Sequence, residues 1–217
     1  MTPIVSVIIP THRRAELLRR AIASVLNQSL AALELIVVEN GQSSEGKEVV
    51  QEFQRTDGRI RYFYRPEPDP SLARNVGVQA THGQYIAFLD DDDEWLPTKL
   101  ERQLAVFKES PHVGLVACGA NRIKDSGEVV EEWPDFEGMT AFIYLATIES
   151  CIRSLSGVMI RRQCLETVGL FDRNYFIAND FELYLRLAKR YKFILLREPL
   201  YRYTQHEGNM CKNALRL

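Results

Sequence analysis

Val5-Ser6-Val7-Ile8-Ile9-Pro10 stands near the start of the chain as a mostly apolar, β-branched run, broken by Ser6 alone and closed by a proline. A strand that is apolar at successive positions has no solvated face, so the run belongs inside a sheet covered on both sides, as parallel strands are. Leu35-Ile36-Val37-Val38 is a second run of this type. Between them Leu18, Ala21, Ile22, Val25 and Leu26 recur at the spacing of one helical face, with Thr11 a candidate cap for that helix. Strand, helix, strand then repeats: a polar helix over 45–54, a strand over 60–64, a helix over 71–80 opened by Ser71, and the strand Tyr85-Ile86-Ala87-Phe88-Leu89. This alternation predicts α/β architecture with a mostly parallel central sheet flanked by helices.

Such sheets place ligands outside the carboxyl ends of their strands. Three polar segments occupy those ends: Pro10-Thr11-His12-Arg13, Glu39-Asn40-Gly41-Gln42-Ser43, and Asp90-Asp91-Asp92-Asp93-Glu94. Five adjacent like charges repel one another, and a hard divalent cation such as Mg²⁺ or Mn²⁺ relieves that repulsion while preferring oxygen ligands. A solvated acidic turn is the alternative.

Beyond the acidic run, Pro97 suits the first turn of a helix reaching about residue 109, followed by a strand over 113–118. Residues 121–149 read as a hairpin and a short helix. Regularity returns with a strand over 157–160, a short helix to 168, a helix over 180–190 capped by Asn179, and final strands over 193–196 and 201–204. With no repeat, linker or low-complexity segment, one domain is expected over 1–217.

The chain has 217 residues, 46% of them hydrophobic and 26% charged, with a net charge of -2. That is enough for one substantial core, and it offers no global basic field for nucleic acid. Cys118, Cys151, Cys164 and Cys211 show no metal-binding spacing, and most adjoin apolar stretches, as buried thiols in a reducing cytoplasm do. No apolar run approaches the roughly 18 residues of a membrane span. Met1-Thr2-Pro3 leads straight into a strand rather than a signal peptide, so a cytoplasmic protein, soluble or peripheral at the inner membrane surface, is expected.

Five blocks in order, Val5 to Thr11, Val37-Val38-Glu39-Asn40-Gly41, Leu72-Ala73-Arg74-Asn75-Val76-Gly77, Gly83 to Asp93 and Asn179-Asp180, resemble the family 2 inverting glycosyltransferases. The resemblance implies a GT-A fold with a Rossmann-like sheet and a UDP- or GDP-sugar donor. It also implies Mn²⁺ or Mg²⁺ and transfer with inversion to a glycan or lipid-linked acceptor. It assigns 1–120 to the nucleotide sugar and 121–217 to the acceptor side and catalytic base.

By the same resemblance, the DxD motif of the family falls on Asp90 and Asp92, with Asp92 a direct metal ligand and Asp90 and Asp91 on the donor side. Asp91 to Asp93 offers an overlapping register. Glu39 stands where the family has an Asp that accepts from the nucleotide base; a carboxylate can accept the N3–H of uracil or the N1–H and amino group of guanine. Arg74 is implied to contact the donor, with Pro10 and Thr11 beneath the nucleotide. Asp180 is the implied general base, preceded by Asn179 where the family has Glu. His206 resembles a late histidine that in some relatives approaches the metal or the diphosphate, and Trp95 and Trp133 could stack on sugar or pack in the core. A sugar nucleotidyltransferase would share the core and metal but needs a glycine-rich phosphate loop that this opening segment lacks. A non-catalytic sugar-nucleotide-binding module is the other competing reading.

Overall fold

A computed structural model describes residues 2–124, 129–132, 154–175 and 178–205. Its centre is one sheet in the order β3-β2-β1-β4-β8-β6-β9-β5, with β7 attached to β6. The strands are β1 (Val5–Thr11), β2 (Leu33–Asn40), β3 (Ile60–Arg65), β4 (Tyr85–Phe88), β5 (Glu94–Trp95), β6 (Val113–Lys124), β7 (Val129–Glu132), β8 (Val158–Arg161) and β9 (Lys192–Gln205). The first four pair in parallel; β8 runs antiparallel between β4 and β6, and β9 is parallel to β6. The chain therefore returns from beyond residue 154 to lie beside β4, against the strand that delivers the acidic run.

Alternation along the strands divides the core into two layers. Val5, Val7 and Ile9 of β1 pack with α1 (Ala15–Leu26), α2 (Glu45–Gln54) and α4 (Lys99–Glu109) through Leu18, Ile22, Val25, Val50, Leu100, Leu104 and Phe107. Ile8, on the opposite face, packs with α3 (Pro70–Ala80), α5 (Arg162–Val168) and α6 (Asn179–Ala188) through Ala73, Val76, Leu165, Leu183 and Leu187. Both faces of β1 are thus covered, as its continuous apolar run requires. Each such side chain contributes on the order of 1.5–3 kcal/mol by leaving water. Helix α3 lies very close to β1: a Cβ on Gly77 would stand 2.5 Å from Ile8 Cγ2, so glycine permits the approach. None of the described helices is long and apolar enough to cross a membrane. Cys164 is buried and Cys118 partly so, while Cys151 and Cys211 lie outside the described residues.

Three expected helix starts differ, each because a side chain finds a stronger partner elsewhere. Thr11 does not cap α1. Strand β1 continues to it by pairing with β2, and its hydroxyl goes to Asp91. Helix α3 is capped by Asp69, which accepts the Leu72 N–H at 2.8 Å with Pro70 in the first turn, rather than by Ser71. Asn179 is the first residue of α6, and its side chain turns away to Arg74 and Ser71, leaving Ala178 at the cap position. The two strands expected near the end are one strand, β9, continuing through Pro199 opposite register shifts around Gly119. The short β5 and its pairing with β9 were not expected. Of the irregular 121–149 stretch, the end of β6 and β7 form an antiparallel pair; the remainder lies outside the described residues.

Candidate active site

Parallel pairing sets the strand ends side by side: Thr11 is opposite Glu39, and Ile8 is opposite Phe88, one residue before Leu89 and the acidic run. Within that run, exposure alternates. Asp91 and Asp93 are buried, whereas Asp90 and Asp92 keep part of their surface open. The outward register is therefore Asp90 and Asp92, and the overlapping Asp91–Asp93 pair is turned into the protein.

Each inward carboxyl has a structural tie. Asp91 accepts the Thr11 hydroxyl at 2.7 Å and Arg14 Nη1 at 3.0 Å, so it fastens β1 and its loop to the run. Burial pushes its pKa up to about 6, against the opposing charge of Arg14 and with added repulsion from Asp92. Asp93 accepts the backbone N–H of Thr204 at 3.1 Å and the Ser154 hydroxyl at 3.4 Å, tying in the end of β9. Burial, then the charges on Asp92 and Asp90, hold the Asp93 carboxyl well above the usual range. Beneath the run the buried Trp95 donates its indole N–H to the Ser156 carbonyl at 2.7 Å, which assigns it to packing.

The outward carboxylates each meet an arginine. Asp92 Oδ2 lies 2.7 Å from Arg14 Nη1. Asp90 Oδ1 accepts Arg74 Nη2 at 2.9 Å and its Oδ2 accepts the Ser154 hydroxyl at 3.3 Å, while its backbone N–H donates to Ser156 Oγ at 3.0 Å. Arg74, itself buried, reaches across the chain: its other terminal nitrogen donates to Asn179 Oδ1 at 3.2 Å, and Asn179 Nδ2 donates to Ser71 Oγ at 2.9 Å. One guanidinium thereby joins the acidic run to the start of α6, where Asp180 sits. Burial raises the Asp180 pKa, the positive charge of Arg74 opposes the rise, and Asp90 adds to it. Asp180 Oδ1 also accepts the Phe181 N–H at 2.8 Å, so the carboxylate favours the amino end of its helix as well.

Among the described residues, two that are not glycine have positive φ, Arg13 at 53° and Ala178 at 62°. This conformation costs an L-residue roughly 1–2 kcal/mol. One lies beside Arg14 and the other two residues before Asp180, so the strain is concentrated on the two loops that frame the acidic run.

Glu39 is wholly buried rather than an exposed strand-end carboxylate. Its Oε1 accepts the Gly46 N–H near the start of α2 at 3.0 Å, and its Oε2 accepts the Tyr62 hydroxyl at 2.5 Å. Burial and these contacts with Glu39 push the Tyr62 phenol upward. The turn that follows uses Gly41 at φ 81°, where a Cβ would collide with the His12 ring. Replacing Glu39 by Gln presents an amide N–H to one of two donors and leaves that donor unsatisfied. The expected result is a loss of about 1–3 kcal/mol of stability, read from urea unfolding. An unchanged midpoint would show that these buried bonds contribute little.

Arg14, Ser154, Ser156 and Tyr62 were not singled out from sequence. Periodicity carries no signal for them, since they act across 64–77 residues of chain or through a buried neighbour. Pro10 is buried within β1. His206 and Trp133 lie outside the described residues.

The donor set can be tested against a divalent ion. Among the described residues no three His, Cys, Asp or Glu side chains form a preassembled metal cage. Two partly open carboxylates, Asp90 and Asp92, instead match the way Mg²⁺-type ions are held by one or two carboxylates together with substrate phosphates. The residues therefore fit an ion shared with a phosphorylated ligand.

The sequence pattern of Glycosyl transferase family 2 matches residues 6–169. The chain belongs to that family. It is 43% identical over 225 residues to the Campylobacter jejuni GalNAc(5)-diNAcBac-PP-undecaprenol beta-1,3-glucosyltransferase, covering 99% of this chain and 71% of that protein. Identity to the uncharacterized glycosyltransferase EpsJ of Bacillus subtilis is 28%, covering 97% of this chain and 63% of EpsJ. The chain spans 24% of the length of an uncharacterized Rickettsia bellii glycosyltransferase and 28% of one from Rickettsia felis. Among solved structures, the Pyrobaculum calidifontis mannosyltransferase PcManGT, in complex with GDP-Man and Mn²⁺, superposes with a TM-score of 0.75 at 19% identity. That match covers 100% of this chain and 61% of PcManGT. Residues 1–349 of S. aureus TarS, in complex with UDP-GlcNAc, give a TM-score of 0.75 at 18% identity, covering 98% and 61%. The α/β fold of this family 2 member is the GT-A type.

Proposed function

We propose that the chain transfers a sugar from a nucleoside-diphosphate sugar to an acceptor hydroxyl or amine with inversion at the anomeric carbon, using Mn²⁺ or Mg²⁺. The observation that carries this reading is the Arg74 bridge, which sets Asp90 and the start of α6 on one guanidinium although 105 residues separate Arg74 from Asn179. A cation site and a candidate base then share one crevice at the carboxyl ends of β1, β2 and β4. The nucleotide sugars and Mn²⁺ in the complexes of TarS and PcManGT support the choice of donor and ion.

Asp92 and Asp90 would hold the divalent ion, which when bound offsets the charge gathering on the leaving diphosphate. His206 is a further candidate ligand. Arg74 supplies a fixed positive charge beside the same phosphates. Asp91, through Thr11 and Arg14, and Asp93, through Ser154 and Thr204, keep the run in place. Pro10 and Thr11 form the floor, and Glu39 shapes the base pocket by fixing the turn after β2. Asp180 accepts the acceptor's proton as its oxygen or nitrogen attacks, so displacement occurs once and configuration inverts.

Residues 1–120 serve the donor, and 121–217 contribute the acceptor side and the base. The acceptor is a glycan, lipid-linked as the name of the Campylobacter relative indicates for that enzyme. On this reading the protein works in the cytoplasm at the inner membrane surface, in polysaccharide or glycan assembly. A panel of UDP- and GDP-sugars, followed by thermal shift with and without Mn²⁺, tests the reading. One donor should raise the melting temperature in Mn²⁺ and release nucleoside diphosphate on incubation. Ion-independent shifts, or binding of every donor without turnover, would favour a non-catalytic binding module instead.

A further inference from the structure

Arg14 ends the loop between β1 and α1, directly after the positive-φ Arg13. Its Nη1 lies 3.0 Å from Asp91 Oδ1 and 2.7 Å from Asp92 Oδ2. Arg74 takes Asp90 on the other flank at 2.9 Å, so three consecutive carboxyl groups, Asp90 to Asp92, are faced by two guanidinium groups. The two arginines differ in access. Arg14 has 28% of its side chain exposed and Arg74 has 9%.

We infer that Arg14 is a built-in competitor of the divalent ion. It shares Asp92 with that ion, keeps the affinity of the protein alone for the ion low, and makes tight metal binding depend on the nucleoside diphosphate. This role rests on the reading of Asp92 as a metal ligand.

A carboxylate already paired with a guanidinium offers a weaker field to a second cation, and the two cations repel each other across it. Arginine cannot relieve this by losing its proton. A diphosphate reverses the balance, because its charge attracts the ion and Arg14 together. Partial exposure lets Arg14 shift from Asp92 toward a diphosphate while its pair with the buried Asp91 holds it at the site, a freedom that the more enclosed Arg74 lacks.

The consequence is a pair of effects with opposite signs. Arg14→Gln should tighten Mn²⁺ binding by the protein alone about two- to fivefold, the range of an ion pair near the surface. The same change should weaken UDP or GDP by a similar factor at saturating Mn²⁺. Arg14→Lys keeps the charge and should stay near wild type for Mn²⁺. A purely structural role would weaken both ligands.

Mn²⁺ titrations followed by electron paramagnetic resonance, and calorimetry with UDP and GDP, decide the matter on the whole chain. The variants are Arg14→Gln, Arg14→Met as a second neutral replacement, Arg14→Lys and Asp92→Asn. Mn²⁺ affinity that is unchanged, weaker or absent in the folded neutral variants overturns the competitor role. Asp92→Asn with wild-type Mn²⁺ binding, alone and with nucleotide, would instead remove the metal reading on which the role rests.

Discussion

Asp180→Asn is expected to lower sugar transfer by roughly two to four orders of magnitude, the range of general-base removal, while nucleotide affinity in Mn²⁺ changes little. The amide can still accept the Phe181 N–H that the carboxylate accepts at 2.8 Å, so α6 keeps its first turn. It cannot take a proton from the acceptor. Because burial raises the Asp180 pKa, the acid limb of the wild-type rate profile should lie above the ordinary carboxylate range. The base is active only when ionised, so the rate falls as pH drops through that value and the limb disappears in the variant. Product NMR adds a second check, since one displacement assisted by one base inverts the anomeric centre. Retained configuration, or near-wild-type turnover in Asp180→Asn, would assign the chemistry elsewhere.

The strand framework was legible because β1, β2 and β4 are apolar at successive positions, and only strands buried on both faces need such a pattern. The acidic run was legible because its repulsion demands an explanation wherever it sits. Sequence did not show which carboxyls face outward. That choice depends on partners far along the chain: Thr11 and Arg14 draw Asp91 inward, and Ser154 and Thr204 draw Asp93. Helix caps failed for the same reason. Ser71 and Asn179 are good capping residues by type, but they bond to each other, and Asn179 also to Arg74, across the site. Two final strands were expected over 193–196 and 201–204, whereas the register shifts in β6 around Gly119 let β9 continue as one strand through Pro199. Glu39 shows the converse: its place at a strand end was plain, but its burial against Gly46 and Tyr62 was not.

Asp92→Ala is expected to abolish the Mn²⁺ dependence of nucleotide binding and to weaken UDP or GDP in excess Mn²⁺ by at least about 100-fold. Loss even of residues behind metal ligands commonly costs 10–100-fold in metal affinity, and Asp92 is read as a ligand itself. Two features separate this from damage to the fold. Asp92 is partly exposed rather than locked into the core, and the inward ties of Asp91 and Asp93 do not pass through its side chain. Thermal stability should therefore change far less than nucleotide affinity. Asp93→Ala provides the contrast: deleting a buried carboxyl that holds Ser154 and the Thr204 N–H should lower stability by about 1–3 kcal/mol. Calorimetry in EDTA and then in excess Mn²⁺ reads the first effect, and urea unfolding reads the second. Wild-type nucleotide affinity that is the same in EDTA and Mn²⁺ would remove the ion from the reaction. The diphosphate's charge would then have to be met by Arg74 and Arg14 alone, and neither variant of the acidic run would change the ion dependence.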